Sequence, residues 1–174
     1  GLMLPAREIA FAVLGLVALQ RLIELPYARR NAQKLLARGG REYGEGHYPL
    51  FVILHAAWLA SMAVFLPQNL SIHWGALSAY ALLQGLRIWN IATLGPYWTT
   101  RIITVPGAPL IRHGPYRYLR HPNYLLVAGE IALLPLAFGE VEIAIVFSIA
   151  NFALLFWRIR IEDRALQPRR TQAP

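Results

Sequence analysis

The stretch His113-Gly114-Pro115-Tyr116-Arg117-Tyr118-Leu119-Arg120-His121-Pro122-Asn123-Tyr124 places two imidazoles, two guanidiniums and three phenols in twelve residues, between strongly apolar segments. Gly114-Pro115 fixes a bend that presents the Tyr116 ring, and His121-Pro122 interrupts the chain so that Pro122 can open a new helix. The free N–H groups and partial positive charge at that helix start suit a carboxylate or another anion. Taken singly, Arg112, Arg117 and Arg120 read as interface anchors, and Tyr116, Tyr118 and Tyr124 as a belt of amphipathic rings. Taken together, with both imidazoles and the turn residues, they read as a binding site.

A second polar constellation, Arg158-Ile159-Arg160-Ile161-Glu162-Asp163, closes another apolar run. Arg158 and Glu162 are four apart, which is either a pair at a helix end or the other half of the same site. Arg87 and Glu130 fall inside apolar segments, where ionisable groups usually face a bundle interior and have partners. They can tie two helices together or serve a substrate, and the sequence leaves both open. His47, His55, His73, His113 and His121 show no metal-ligand spacing. No Walker motif, GxGxxG or nucleophile elbow is present, so a Rossmann-type nucleotide site is excluded. With no cysteine, disulfides, thiolate zinc sites and cysteine nucleophiles are excluded as well.

The elements that must position these groups are apolar. The chain has 174 residues, 56% of them hydrophobic and only 15% charged, against about 25% charged in soluble domains. Five segments stand out: Leu4–Leu25, Tyr48–Leu66, Trp74–Leu94, Tyr124–Phe138 and Val141–Trp157. Roughly 20 helical residues span a hydrocarbon layer ~30 Å thick, which predicts an all-α integral membrane protein of about five transmembrane helices. The last two segments, split only by Gly139-Glu140, read as a tight helical hairpin; one helix bent at Pro135 is the alternative. The first segment carries Glu8 and Arg21 and lacks a small-residue cleavage site, so it is read as mature structure rather than as a signal peptide. A single domain over 1–174 is expected, with the chemistry in about 95–166.

The basic residues orient this bundle. Arg29, Arg30, Lys34, Arg38 and Arg41 lie in 26–47, four more arginines in 95–123, and five after Trp157. These make fourteen of the seventeen Lys and Arg, all on one side of five crossings. The positive-inside rule predicts a membrane protein with its amino terminus outside and its carboxyl terminus in the cytoplasm. The net charge of +8 is then an orientation signal and an attraction to membrane lipids, and no nucleic acid is expected as partner. The 95–123 connection, rich in Gly and Pro, cannot be one helix and is the natural ligand cradle. Thr99–Val105 has β-branched character suited to a short extended stretch. Gln167–Pro174 reads as a disordered tail.

The segment 114–124 resembles the signature of the isoprenylcysteine carboxyl methyltransferase family, integral-membrane enzymes that use S-adenosyl-L-methionine. Arg158, Glu162-Asp163 and Leu166 resemble that family's second signature, with Asp163 where the pattern has a second Glu. Gln20-Arg21, Glu24-Leu25, Arg30-Asn31 and Gly46-His47-Tyr48 are similar to a bacterial branch, some of whose members methylate hydroxyls of alkylpyrone or alkylresorcinol lipids. The resemblance implies a cofactor pocket lined by Ala108, Pro109, Leu110, Ile111, Tyr116, His121, Pro122, Asn123 and Tyr124, with Glu162 also on the cofactor and Arg101 as a looser match. It implies that Arg158 faces a lipid-tailed methyl acceptor, either an isoprenylcysteine carboxylate or an alkylpyrone or alkylphenol hydroxyl. Where the hydroxyl is weakly acidic, His121 or a neighbouring carboxylate is the expected base. Phospholipid N-methylation is a second enzymatic reading, and a small transporter or structural subunit using Arg87 and Glu130 is a third.

Overall fold

The computed structural model describes residues 5–43, 48–100, 102–105, 107, 113–117 and 122–172. Five helices follow one another: α1 (Ala6–Ala37), α2 (Tyr48–Val64), α3 (Trp74–Leu94), α4 (Pro122–Ala137) and α5 (Val141–Gln172). Two short strands, β1 (Arg41–Tyr43) and β2 (Ile102–Thr104), lie in the connections. The expected all-α class is the observed one, and the extended stretch expected within Thr99–Val105 is β2.

Two boundaries differ from the sequence reading. The first helix was expected to stop at Leu25 before Pro26, yet α1 continues through Pro26 to Ala37. A proline removes one backbone donor and crowds the preceding turn, which bends a helix without necessarily ending it. Beyond it, Ala28, Asn31, Ala32 and Leu35 form a buried stripe at helical spacing, so packing sustains the extra three turns while Arg29, Arg30 and Lys34 lie off that stripe. The helix stops at Gly39, whose φ of +86° is open to glycine without strain. Gly40 N–H then bonds the Leu35 carbonyl at 2.9 Å. The second difference is the tail: α5 runs on to Gln172, through most of the stretch expected to be disordered.

The hairpin reading of the last two segments holds. α4 ends at Ala137, Gly139 turns the chain at φ +70°, and Pro135 carbonyl accepts from Phe138 N at 3.1 Å and Glu140 N at 2.8 Å. Pro135 therefore sits in the last turn of α4 rather than at a bend in one long helix.

The core lies toward the α4–α5 turn. It joins Ala10, Leu14 and Val17 of α1 to Trp58 and Met62 of α2, Tyr80 of α3, and Ile131, Leu134, Ala137 and Phe138. Trp58 Nε1 donates to the Ile131 carbonyl at 3.1 Å, satisfying the one polar atom that the indole buries. Arg7 Nη1 reaches the carbonyls of Leu66 and Pro67 at 2.8 and 2.7 Å, tying the start of α1 to the end of α2.

The opposite end is held by α1. Asn31 Nδ2 donates to the carbonyls of Gly95 and Trp98 at 3.2 and 2.8 Å, and Tyr27 stacks on Trp98 with centroids 5.7 Å apart. One step further, β1 pairs antiparallel with β2 in the register Arg41↔Thr104, Glu42↔Ile103, Tyr43↔Ile102. The end of α1 and β1 thus act as a strap across the 95–105 connection.

Leu16, Ile23, Ile53, Leu82, Ile149 and Phe152 are each more than 60% exposed. A water-facing surface rarely carries so broad an apolar patch, whereas lipid accepts it. By length and composition, α1 and α5 can each cross a membrane; α2 and α4 are apolar but shorter.

Candidate functional site

The site is built where α4 and α5 lie side by side at the strap end. Pro122 opens α4 at a position where its missing N–H costs nothing, and Asn123 and Tyr124 follow in the first turn. Just before it, Gly114–Arg117 forms a 3₁₀ turn. Gly114 has φ +59°, and a Cβ there would lie 2.6 Å from Thr93 Oγ1, so only glycine lets this turn press against the end of α3. On α5, Arg158 and Glu162 are one helical turn apart and share a face.

Tyr124 connects them. Its hydroxyl donates to Glu162 Oε2 and accepts from Arg158 Nε at 3.2 Å. Arg158 Nη2 donates to the Thr100 carbonyl at 2.6 Å, and Thr100 Oγ1 lies 3.0 Å from the Tyr48 hydroxyl. The guanidinium also stacks over the Phe51 ring at 5.0 Å and the Tyr124 ring at 5.9 Å. A planar cation gains from aromatic faces on this scale. Tyr116 completes the group: burial, and then the Glu162 charge, push its phenol above the ordinary tyrosine range, so it remains neutral. One half-buried carboxylate and one guanidinium held at two of its nitrogens therefore meet at the Tyr124 phenol, with Tyr116 near enough to feel the Glu162 charge.

Of the residues expected from sequence, Tyr116, Tyr124, Arg158 and Glu162 come together, with Pro122 and Asn123 in the same first turn of α4. Ala108, Pro109, Leu110, Ile111, His121 and Arg101 lie outside the described residues. Arg158 and Glu162, four apart on α5, are bridged by the Tyr124 phenol, and Arg158 turns to the Thr100 carbonyl. Sequence reasoning missed Phe51 and Thr100. The signal for Phe51 was present: Tyr48, Phe51, His55, Trp58 and Met62 recur at alternating three- and four-residue steps, one face of α2.

A second polar cluster lies deeper. Arg87 Nη1 meets Glu130 Oε1 at 3.0 Å, the pairing considered from sequence, but α1 joins as well. Arg87 also grips Glu24 through Nε at 2.8 Å and Nη2 at 2.5 Å. Glu130 Oε2 accepts from Arg21 Nη2 at 3.2 Å and Gln84 Nε2 at 2.8 Å, and Gln20 Nε2 donates to Gln84 Oε1 at 2.8 Å. Two cations and two anions cancel, as low-dielectric surroundings require. This network fastens α1, α3 and α4 together below the site.

Comparison with known proteins gives a family match and two relatives. The profile of the isoprenylcysteine carboxyl methyltransferase (ICMT) family matches residues 76–168, which contain Tyr116, Tyr124, Arg158 and Glu162. The chain is 38% identical over 159 residues to the uncharacterized protein YpbQ of Bacillus subtilis (strain 168), covering 89% of this chain and 95% of that one. It is 28% identical over 151 residues to an uncharacterized protein of Haemophilus influenzae, covering 84% and 88%. No solved structure matches it.

Proposed function

The chain belongs to the isoprenylcysteine carboxyl methyltransferase family of membrane methyltransferases, and on that premise we propose that it transfers a methyl group from S-adenosyl-L-methionine to an oxygen of a lipid-tailed acceptor. The observation that carries the proposal is the Tyr124-bridged meeting of Glu162 and Arg158, beside Tyr116 and the start of α4. The five helices form five crossings of a bacterial inner membrane, with the amino terminus outside and this site on the cytoplasmic side. The single domain thereby brings a water-soluble cofactor and a membrane-borne acceptor to one interface.

The residues present fit that cofactor. Bound there, it supplies a methyl group on a cationic sulfur, together with an ammonium and a carboxylate. Glu162 would pair with the ammonium. The N–H groups of the first turn of α4 at Asn123 and Tyr124 would hold the carboxylate. The rings of Tyr116 and Tyr124 would offer π faces to the cationic sulfur or the adenine. The family resemblance implies that Ala108–Ile111, His121 and Arg101 would supply the remaining contacts.

Arg158 presents the acceptor. A guanidinium has five N–H donors; among the described residues Nε and one Nη2 proton are engaged by Tyr124 and Thr100, so the Nη1 protons and the other Nη2 proton are the ones to meet an acceptor oxygen. Methyl transfer from sulfur is an in-line displacement, so alignment and electrostatics carry most of the catalysis. The Phe51 ring packs against the guanidinium, and the Tyr124 hydroxyl and the Thr100 carbonyl fix its rotation. Carboxylate and pyrone-enol acceptors arrive as anions and need only this clamp.

Calorimetric titration of the detergent-solubilised chain with S-adenosylhomocysteine tests the reading; absence of binding at millimolar ligand overturns it. A competition assay with labelled S-adenosylmethionine, offering farnesylcysteine analogues, alkylpyrones, alkylresorcinols and phosphatidylethanolamine, then identifies the acceptor class. Methylation of the phosphatidylethanolamine amine alone overturns oxygen as the acceptor atom.

A further inference from the structure

The connection that reaches Arg158 is pinned on either side of Thr100. Asn31 donates to the Trp98 carbonyl at 2.8 Å, and Ile102 pairs with Tyr43 in the β1–β2 ladder. Thr100 itself belongs neither to the 3₁₀ turn Gly95–Tyr97 nor to β2. Its orientation is therefore set by what its own polar groups meet. The carbonyl accepts from Arg158 Nη2 at 2.6 Å, toward α5. The hydroxyl shares a 3.0 Å hydrogen bond with the Tyr48 hydroxyl, at the start of α2. One small residue thus ties α2 to α5 through the group that holds Arg158. A tyrosine at a membrane boundary ordinarily turns its hydroxyl to headgroups and water. Here the Tyr48 hydroxyl is part-buried and meets a partner 52 residues away in sequence. Phe51 lies three residues further on, on the same face of α2. Its ring centroid is 5.0 Å from the guanidinium carbon, so the first turn of α2 holds Arg158 directly through Phe51 and indirectly through Tyr48.

We propose that Tyr48 is a positioning residue: its hydroxyl orients Thr100, and the Thr100 carbonyl sets the rotation at which Arg158 meets the acceptor oxygen. This rests on the methyltransferase reading above for what Arg158 presents, and adds the group that decides how accurately it is presented. Removing the Tyr48 hydroxyl leaves the ring, the helix and the charge of Arg158 in place. What is lost is the angle. In an in-line displacement a small misplacement of the acceptor costs rate more than binding. Glu162 and Tyr116 have no part in this relay, so the cofactor side of the site is expected to be indifferent to it.

The test compares full-length wild type, Tyr48→Phe, Thr100→Val and Thr100→Ser in detergent, on the better acceptor of farnesylcysteine and an alkylresorcinol. Tyr48→Phe is also combined with Thr100→Val and, separately, with Arg158→Lys. Tyr48→Phe and Thr100→Val are each expected to lower kcat about 10-fold, with acceptor KM and S-adenosylhomocysteine affinity within about threefold of wild type. Thr100→Ser, which keeps the hydroxyl, retains the wild-type rate. The Tyr48→Phe/Thr100→Val double variant loses no more than either single one, and Tyr48→Phe has no further effect on Arg158→Lys. A readout without turnover is the modification of Arg158 by phenylglyoxal, followed by mass spectrometry with the exposed Arg160 as internal reference. Tyr48→Phe is expected to speed it by about two- to tenfold, the equivalent of one net hydrogen bond. A wild-type kcat in Tyr48→Phe, additive losses, a loss that persists on Arg158→Lys, a matching fall in S-adenosylhomocysteine affinity, or an unchanged Arg158 modification rate each overturn the positioning role and leave the methyltransferase reading standing. A wild type that binds no S-adenosylhomocysteine overturns that reading instead, and the Arg158 modification rates then decide whether Tyr48 holds Arg158 through Thr100.

Discussion

The Tyr124 hydroxyl donates to Glu162 across 38 residues of sequence, so the first turn of α4 and the strap-end half of α5 share one hydrogen bond. The same hydroxyl accepts from Arg158, which makes Tyr124 the part that sets the spacing between the anion and the cation. Tyr124→Phe keeps the ring and removes the spacer. Hydrogen bonds to charged groups contribute about 1.5–3 kcal/mol, so S-adenosylhomocysteine affinity is expected to fall ~10-fold or more, measured by calorimetry. Glu162→Ala, which deletes the anion itself, is expected to abolish binding.

Glu140 gives a stability signature independent of catalysis. It follows the turn of the α4–α5 hairpin, 7% exposed, and among the described residues neither carboxyl oxygen has a partner. Burial raises its pKa from 4.5 to about 7. Between those values the folded chain binds more protons than the unfolded one, so this group's contribution to stability falls as pH rises through that window and is level above it. Thermal unfolding of Glu140→Gln at pH 5 and pH 8 is expected to show a smaller loss between the two than wild type, with the variant the more stable at pH 8. An equal loss in both proteins counts against a buried, unpaired carboxyl.

Much of this was legible from residues alone, and the failures have physical causes. The starts of α2 and α3, the hairpin at Gly139 and the pairing of the 114–124 block with Arg158 and Glu162 follow from local patterns of apolarity and turn chemistry. The extension of α1 past Pro26 does not, because it depends on Asn31 finding the carbonyls of Gly95 and Trp98, more than 60 residues away. Phe51 was hidden for the same reason: an apolar residue on an apolar helix becomes part of a site only when Arg158 stacks on it. The Arg87–Glu130 pairing was one of two readings that the sequence left open, and the part played by Glu24 and Arg21 required knowing which face of α1 turns inward.

The ion network predicts a non-additive pair of substitutions. Arg87→Met leaves Glu24 without its main partner and half of Glu130 uncovered, and breaking a buried pair costs about 3–5 kcal/mol. Adding Glu24→Gln restores neutrality, because Arg21 still meets Glu130 at 3.2 Å. The double variant is therefore expected to unfold at a higher temperature in detergent than Arg87→Met alone. Simple addition of the two losses would show that the four charges do not act as a unit.

Gly40 tests the strap. A Cβ there would sit 2.6 Å from the Leu35 carbonyl oxygen and 3.1 Å from Ile103 Cγ2, so Gly40→Ala must push the chain off the end of α1. Overpacking of this kind costs about 1–3 kcal/mol. Because the contact precedes β1 directly, the loss should concentrate in the β1–β2 ladder. Hydrogen exchange at Arg41–Tyr43 and Ile102–Thr104 is expected to accelerate while α4 and α5 keep their protection. Uniform acceleration would mean the strap is not a separate unit.

Arg158 separates cofactor binding from acceptor handling, and two substitutions are needed to show it. Arg158→Ala removes the group proposed to hold the acceptor oxygen but leaves Glu162 and Tyr116 in place, so S-adenosylhomocysteine binding should survive while methyl transfer falls by ~100-fold or more, the scale of losing one preorganised donor set. Arg158→Lys keeps the charge but not the planar fork. An ammonium cannot contact the Thr100 carbonyl, the Tyr124 hydroxyl and an acceptor oxygen in the orientations that a guanidinium allows, nor stack on Phe51 in the same way. Lysine is therefore expected to recover acceptor binding, seen as KM near wild type, and little of kcat. Recovery of full kcat by lysine would reduce Arg158 to a point charge, and loss of S-adenosylhomocysteine binding in the alanine variant would move it from the acceptor side of the site to the cofactor side.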